Sequence, residues 1–185
     1  TLTGPNSILF GEGSVDALGG VTIKTDDKGE FSVKLFSNTA QTNTVITVSS
    51  GADSETVKVS FTGSVANFGT SIVIDAPTSA MPGTSFKVTA TLFDKNGNAV
   101  LSTTGTNPRM NVVYSGPGIV IATMPENTNT LGQVSFTVLL GSNDKGTGVV
   151  TVSYDRGDDG DFTGTTTADK DVIATTSITV GAVAE

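Results

Sequence analysis

The 185-residue chain contains no cysteine, no histidine and no tryptophan. Without cysteine there are no disulfides and no thiolate metal sites, so stability outside a cell has to come from packing or bound ions. Without histidine a Ser-His-Asp triad cannot be built, and without cysteine there is no thiol nucleophile. Basic residues are scarce: 10 Lys and Arg stand against 18 Asp and Glu, a net charge of −8. That balance opposes nucleic acid or an anionic membrane as a partner, both of which call for clustered positive charge. No apolar run approaches the ~20 residues of a bilayer-crossing helix, so membrane insertion is not expected, and no signal-peptide pattern is present. What is abundant is threonine (31), serine (18) and glycine (22). Threonine and the β-branched aliphatics favour strands, while glycine, asparagine and aspartate supply turns. An all-β chain with many short connections is predicted.

An internal repeat sets the organisation. Gly29-Glu30-Phe31-Ser32-Val33-Lys34-Leu35 reappears as Gly132-Gln133-Val134-Ser135-Phe136-Thr137-Val138, and Thr44-Val45-Ile46-Thr47-Val48-Ser49 as Gly148-Val149-Val150-Thr151-Val152-Ser153. Upstream, Thr3-Gly4-Pro5 matches Ser115-Gly116-Pro117. The stretch from Ser71 to Tyr114 has no counterpart ahead of the first copy, which begins in mid-unit at Thr1. The first unit is therefore expected to be a fragment or a module finished by something else.

Period-2 alternation predicts the strands. In the second unit they fall at 71–76, 85–93, 109–115, 118–123, 132–140, 148–154 and 171–180, with a turn at Asp94-Lys95-Asn96-Gly97-Asn98. That spacing suits a two-layer Greek-key sandwich. In the first unit strands are predicted at 21–25, 29–36, 44–49 and 55–61. The division is 1–64 as the back half of a β-sandwich, 65–70 as a linker, and 71–185 as a complete sandwich with an acidic insertion at 155–170. Four or five strands leave the face built from Phe31, Val33, Leu35, Ile46, Val48, Val57 and Val59 short of its covering layer. At about 25 cal/mol per Å² of apolar area, such exposure costs several kcal/mol, and unpaired edges invite association.

The run from Pro82 to Val100, with Val88-Thr89-Ala90-Thr91-Leu92-Phe93-Asp94 leading into Asn96-Gly97-Asn98-Ala99-Val100, resembles the opening half of bacterial immunoglobulin-like modules of the invasin/intimin type. Ala99 stands where that pattern has proline. Asn129–Phe136 resembles the later Gly-centred segment of the same modules, Gly148–Tyr154 their following strand, and Thr25–Phe31 the first segment again. The resemblance covers 72–180 as a whole module and 1–63 as a back half. It implies tandem immunoglobulin-like sandwiches serving as spacers or adhesive stalks of surface proteins, surface-layer and polymer-forming proteins among them, and carries over no catalytic or binding residue.

Between 155 and 171 lie six acids and two bases, a net −4 in one connection. The corresponding connection of the first unit is only 50–54, so this is an insertion, and long loops in compact domains tend to be functional or disordered. Calcium takes about six to eight hard oxygens. Asp155, Asp159 and Asp161, with Asp169 or Asp171 from the other side, are the natural ligand set; the competing reading is a solvated acidic tip. The spacing is not that of an EF-hand. Arg156-Gly157-Asp158 spells an integrin-type tripeptide, a match common by chance. Asp94, Asn96 and Asn98 are explained by a turn, as are Asp26-Asp27 and Asn143-Asp144. Tyr114, Tyr154 and Phe162 are expected in packing rather than as a sugar platform. Paired-carboxylate glycoside chemistry needs a cleft, whereas the acids here fall in turns and one loop.

The sequence thus points to a non-enzymatic structural module of an extracellular layer, filament or sheath. Its first unit would be completed by upstream segments of the same polypeptide or by other copies of itself. The alternative is a calcium-dependent adhesin or carbohydrate-binding module acting on a polysaccharide or cell-surface receptor through 155–171. An immunoglobulin-like decoration of a phage particle shares the fold.

Overall fold

The computed structural model describes residues 1–12, 15–64, 70–102, 108–122, 124, 126–156, 162 and 171–181, the side chains of 12 and 15–17 excepted. Among them there is no helix; all regular structure is strand. The chain forms two compact units, Thr1–Thr62 and Gly63–Glu185. Gly63 and Ser64 group with the second: the Ser64 amide donates to Asp94, and a Cβ on Gly63 would overlap the Ala99 carbonyl.

The first unit contains β1 (Leu2–Thr3), β2 (Leu9–Glu12), β3 (Val15–Leu18), β4 (Gly20–Val21), β5 (Lys34–Phe36), β6 (Gln41–Ser50) and β7 (Asp53–Phe61). The second contains β8 (Ser71–Asp75), β9 (Ser79–Ala80), β10 (Ser85–Phe93), β11 (Arg109–Ser115), β12 (Ile119–Ile121), β13 (Glu126–Asn127), β14 (Gln133–Leu139), β15 (Gly146–Tyr154) and β16 (Val172–Val180).

In the second unit the two sheets run β12-β14-β10-β8 and β13-β11-β15-β16-β9. This is the immunoglobulin arrangement: a four-strand sheet facing a sheet built on β11, β15 and β16. The short β9 crosses over to pair in parallel with β16. The period-2 alternation does the work here. Phe86, Val88, Ala90 and Leu92 from β10, Val134, Phe136 and Val138 from β14, Val150 and Val152 from β15, and Ile178 and Val180 from β16 meet in one core.

In the first unit the sheets run β4-β1-β6-β7 and β3-β2-β5. Their core is four buried side chains, Leu2, Ile8, Phe10 and Ile46. The strand expected over 29–36 forms only at β5, and that over 21–25 only at β4. In the second unit β14 is paired on both sides, by β12 and β10. Among the described residues its counterpart β5 has a neighbour on one side, β2. The pair β2 and β3 had no clear alternation in the sequence and is a finding of the structure.

The repeat is carried into register. Leu9 faces Phe36 and Phe10 faces Leu35, as Ile119 faces Leu139 and Val120 faces Val138. One match does not keep step: Leu2 pairs with Val48 while Tyr114 pairs with Val150, a slip of two residues relative to the repeat.

Candidate functional site

Among the described residues one five-residue turn occurs three times, and it accounts for several polar candidates. Asp26, Asp94 and Asn129 each accept, through Oδ1, the amides two and four residues later, at 2.8–3.0 Å. The fourth residue is glycine each time, with φ of 81°, 80° and 74° at Gly29, Gly97 and Gly132, a region that side-chain-bearing residues avoid. The Asp94 carboxylate also accepts from the Asn98 side chain and the Ser64 amide. Burial pushes the Asp94 carboxyl up, but the hydrogen bonds from Asn98, Asn96 and Ser64 outweigh it and leave it below the ordinary carboxylate value. Asp94, Asn96 and Asn98 are thus turn and clasp residues.

Of the five acids proposed for calcium, Asp155 and Asp171 are described, and both are buried. Asp155 follows β15 and Asp171 precedes β16, so they mark the two ends of the acidic connection. The Asp171 Oδ1 accepts the Arg156 amide at 3.1 Å, and the Asp155 amide donates to the Arg109 carbonyl at 3.3 Å. Asp159, Asp161 and Asp169 lie outside the described residues, as do Gly157 and Asp158 of the tripeptide. Among the described residues no three acids come together in a way that could hold a metal ion.

The aromatic residues are structural. Tyr154 is buried in the core. Tyr114 meets Phe86 edge-on, with centroids 6.2 Å apart, and donates its hydroxyl to the Pro117 carbonyl at 2.7 Å. Burial, and then the charge of Asp144, raise the Tyr114 hydroxyl above its usual value. A Cβ on Gly148 would overlap that hydroxyl, so glycine there makes room for the ring. Phe162 lies under the Arg109 guanidinium at 5.9 Å, a cation–π distance.

The expected interface residues of the first unit divide. Ile46 is fully buried, with Phe10 and Gly4 beside it, which differs from the expectation of an uncovered face at that position: Phe10 of β2 and the Ile8 that precedes the strand share its core. Val33, Leu35, Val48 and Val59 are half-buried, and Phe31 and Val57 are 41% and 49% exposed. The second unit shows what these positions are worth when covered. Val134, Phe136 and Val138, which correspond to Phe31, Val33 and Leu35, are 2%, 3% and 0% exposed. They lie beside β10, which pairs with β14 over its whole length. Among the described residues of the first unit, no strand corresponds to β8, β9 or β10.

Around the Asp26 turn, in the segment that leads into β5, the first unit has an open groove of about 450 Å³, lined by Ile23, Lys24, Thr25, Asp26, Glu30, Phe31 and Ser32. A sequence reading alone could reach the exposed face from the repeat, but not the groove, which depends on how 23–32 curls about the Asp26 turn.

No protein-family model matches the chain, and no curated protein matches it in sequence. Among solved structures it is similar to domains 4 and 5 of the S-layer protein SbsC, at 18% identity and a TM-score of 0.39, over 77% of this chain and 66% of that one. It is also similar to the D00-D0 domain of intimin, at 19% identity and a TM-score of 0.41, over 95% of this chain and 78% of that one. The chain thus spans just under two thirds of the S-layer structure. The immunoglobulin-like assignment rests on strand order and register, not on these likenesses.

Proposed function

We propose that this chain is a non-enzymatic structural module of an extracellular surface layer, filament or sheath, working through immunoglobulin-like units. The first unit is completed in the assembly by β-structure from outside residues 1–185. One observation carries this reading. Two copies of a repeat share most of their strand pairing, yet one flanks β14 with β10 and β8 in its own sheet and buries its inner face, while among the described residues the other has no such strands beside β5 and leaves the same positions half open. A face of that kind is costly in water and favourable once covered. Main-chain pairing at the open edge supplies the attachment, and alternate side chains supply the fit.

The test compares hydrogen exchange of the chain in its native cell-envelope preparation with that of the purified chain. Residues 31–36 and 53–61 are expected to be slow in the first and fast in the second. Equal exchange in both, or absence of the chain from the envelope fraction, would overturn the reading. The calcium-dependent adhesin has its own signature. A melting shift at millimolar calcium, lost in Asp159→Ala with Asp161→Ala, would move the function to the acidic connection.

A further inference from the structure

We infer that the β5 edge and the groove of the segment leading into it bind an extended segment of a neighbouring polypeptide, antiparallel to β5, with an acidic residue opposite Lys34 and a basic one opposite Glu30. This rests on the reading above that outside β-structure completes the first unit, and it adds direction, register and charge.

The second unit supplies the template. There β10 runs antiparallel along β14, with Phe86 facing Val138, Lys87 facing Thr137, Val88 facing Phe136, Ala90 facing Val134 and Thr91 facing Gln133. The repeat converts those partners into Leu35, Lys34, Val33, Phe31 and Glu30. Apolar residues of the incoming segment therefore fall opposite Leu35, Val33 and Phe31, three positions now open to solvent in part or in whole. The positions between them lie on the outer face, where the template has neutral Thr137 and Gln133 but this unit has exposed Lys34 and Glu30. A segment copying β10 unchanged would set Lys87 against Lys34. Like charges directly opposite each other destabilise a pair of strands, and opposite charges stabilise it. The partner is thus distinguished from the chain's own β10 by charge.

The groove marks how far the segment extends. In the second unit the Gly132 carbonyl accepts from the Leu92 amide, the Thr128 hydroxyl donates to the Val100 carbonyl, and Val100 is fully buried. A Cβ on Gly132 would lie 3.0 Å from the Val100 carbonyl oxygen. Gly29 holds the same turn with nothing within 4 Å. The open space at Gly29, Ile23 and Phe31 is where the template seats Leu92 and Val100, so the segment continues past the paired strand through a turn and returns one apolar side chain to the groove.

The experiment uses the 185-residue chain and two synthetic peptides. One has the sequence of residues 83–102; the other carries Lys87→Glu and Thr91→Lys in addition. Saturable one-to-one binding is expected for both, with the charge-altered peptide several-fold tighter. Protection from exchange is expected at residues 31–36. A peptide with Val88→Asp and Leu92→Asp should bind at least about tenfold more weakly. So should either peptide to the Phe31→Ser chain, whose second unit should melt unchanged.

No binding overturns the proposal, as does protection confined to Ile119–Ile121. Protection of 31–36 that grows with chain concentration and resists the peptide overturns it in favour of a second copy. Equal affinity for both peptides overturns the charge assignment. Failure of the peptides to bind while the native envelope still protects 31–36 removes this inference and leaves the proposed function standing. Binding without any such protection in the envelope does the reverse.

Discussion

At the scale of single residues, two groups carry the most weight. Asp94 is buried and accepts hydrogen bonds from Asn96, Asn98 and Ser64. Removing it leaves the partly buried amides of the turn without their acceptor, so Asp94→Ala is expected to cost the second unit about 0.5–1.5 kcal/mol in urea unfolding. The pH dependence follows from its lowered carboxyl. A carboxylate whose folded value lies below its unfolded one contributes stability that is fully present above the ordinary value of 3.8 and is lost as pH falls through the folded value. The melting temperature of the second unit should therefore drop on acidification below that point, and Asp94→Asn should flatten the drop. Gly29 and Gly132 make the second test. Alanine at either position pays about 1–2 kcal/mol for left-handed backbone. At Gly132 it also meets Val100 and Ala99 at 3.0–3.1 Å, adding about 1–3 kcal/mol of overpacking. Gly132→Ala should be the worse of the two in denaturant titration.

Among the elements, β14 and β5 share a sequence pattern and differ in neighbours. Phe136→Ala removes a side chain packed from both sheets and is expected to cost about 3–5 kcal/mol. Val33→Ala, at the matching position of the first unit, should cost well under half of that, because its side chain is already half in water. The strand β12 presents the opposite case. Ile119, Val120 and Ile121 are all exposed on the last strand of a sheet, whereas its counterpart β2 is paired on that side by β3. Natural sheets protect such edges with charge. Ile119→Lys with Ile121→Lys is expected to reduce aggregation in light scattering and to change stability by less than about 0.5 kcal/mol.

For the whole molecule, the two units hold unequal cores: four buried apolar side chains in the first against a continuous two-sheet core in the second. Burial scales the driving force, so calorimetry of the chain should show two transitions, with the first unit melting earlier. Occupation of the β5 edge by a strong partner should raise only the lower transition, as expected for a ligand that binds the folded form.

The sequence by itself determined the all-β class, the repeat and most strands of the second unit. Alternation states which side chains share a face, and Asp or Asn three residues before glycine states where the chain must turn. Strand Ser85–Phe93 could be read to its ends for that reason, and the Asp94 turn needs only its own five residues. Tertiary structure alone decided how much of that pattern became strand in the first unit. The stretch Gly29–Leu35 has the same alternation as Gly132–Val138, but a strand is held by its neighbours, and among the described residues β5 is flanked on one side where β14 is flanked on two. The burial of Ile46 was likewise out of reach of the sequence, because it depends on Phe10 of β2 and the neighbouring Ile8, a segment without clear alternation. Local pattern sets what a segment can do; long-range pairing, whose partners lie far apart in the chain, sets whether it does.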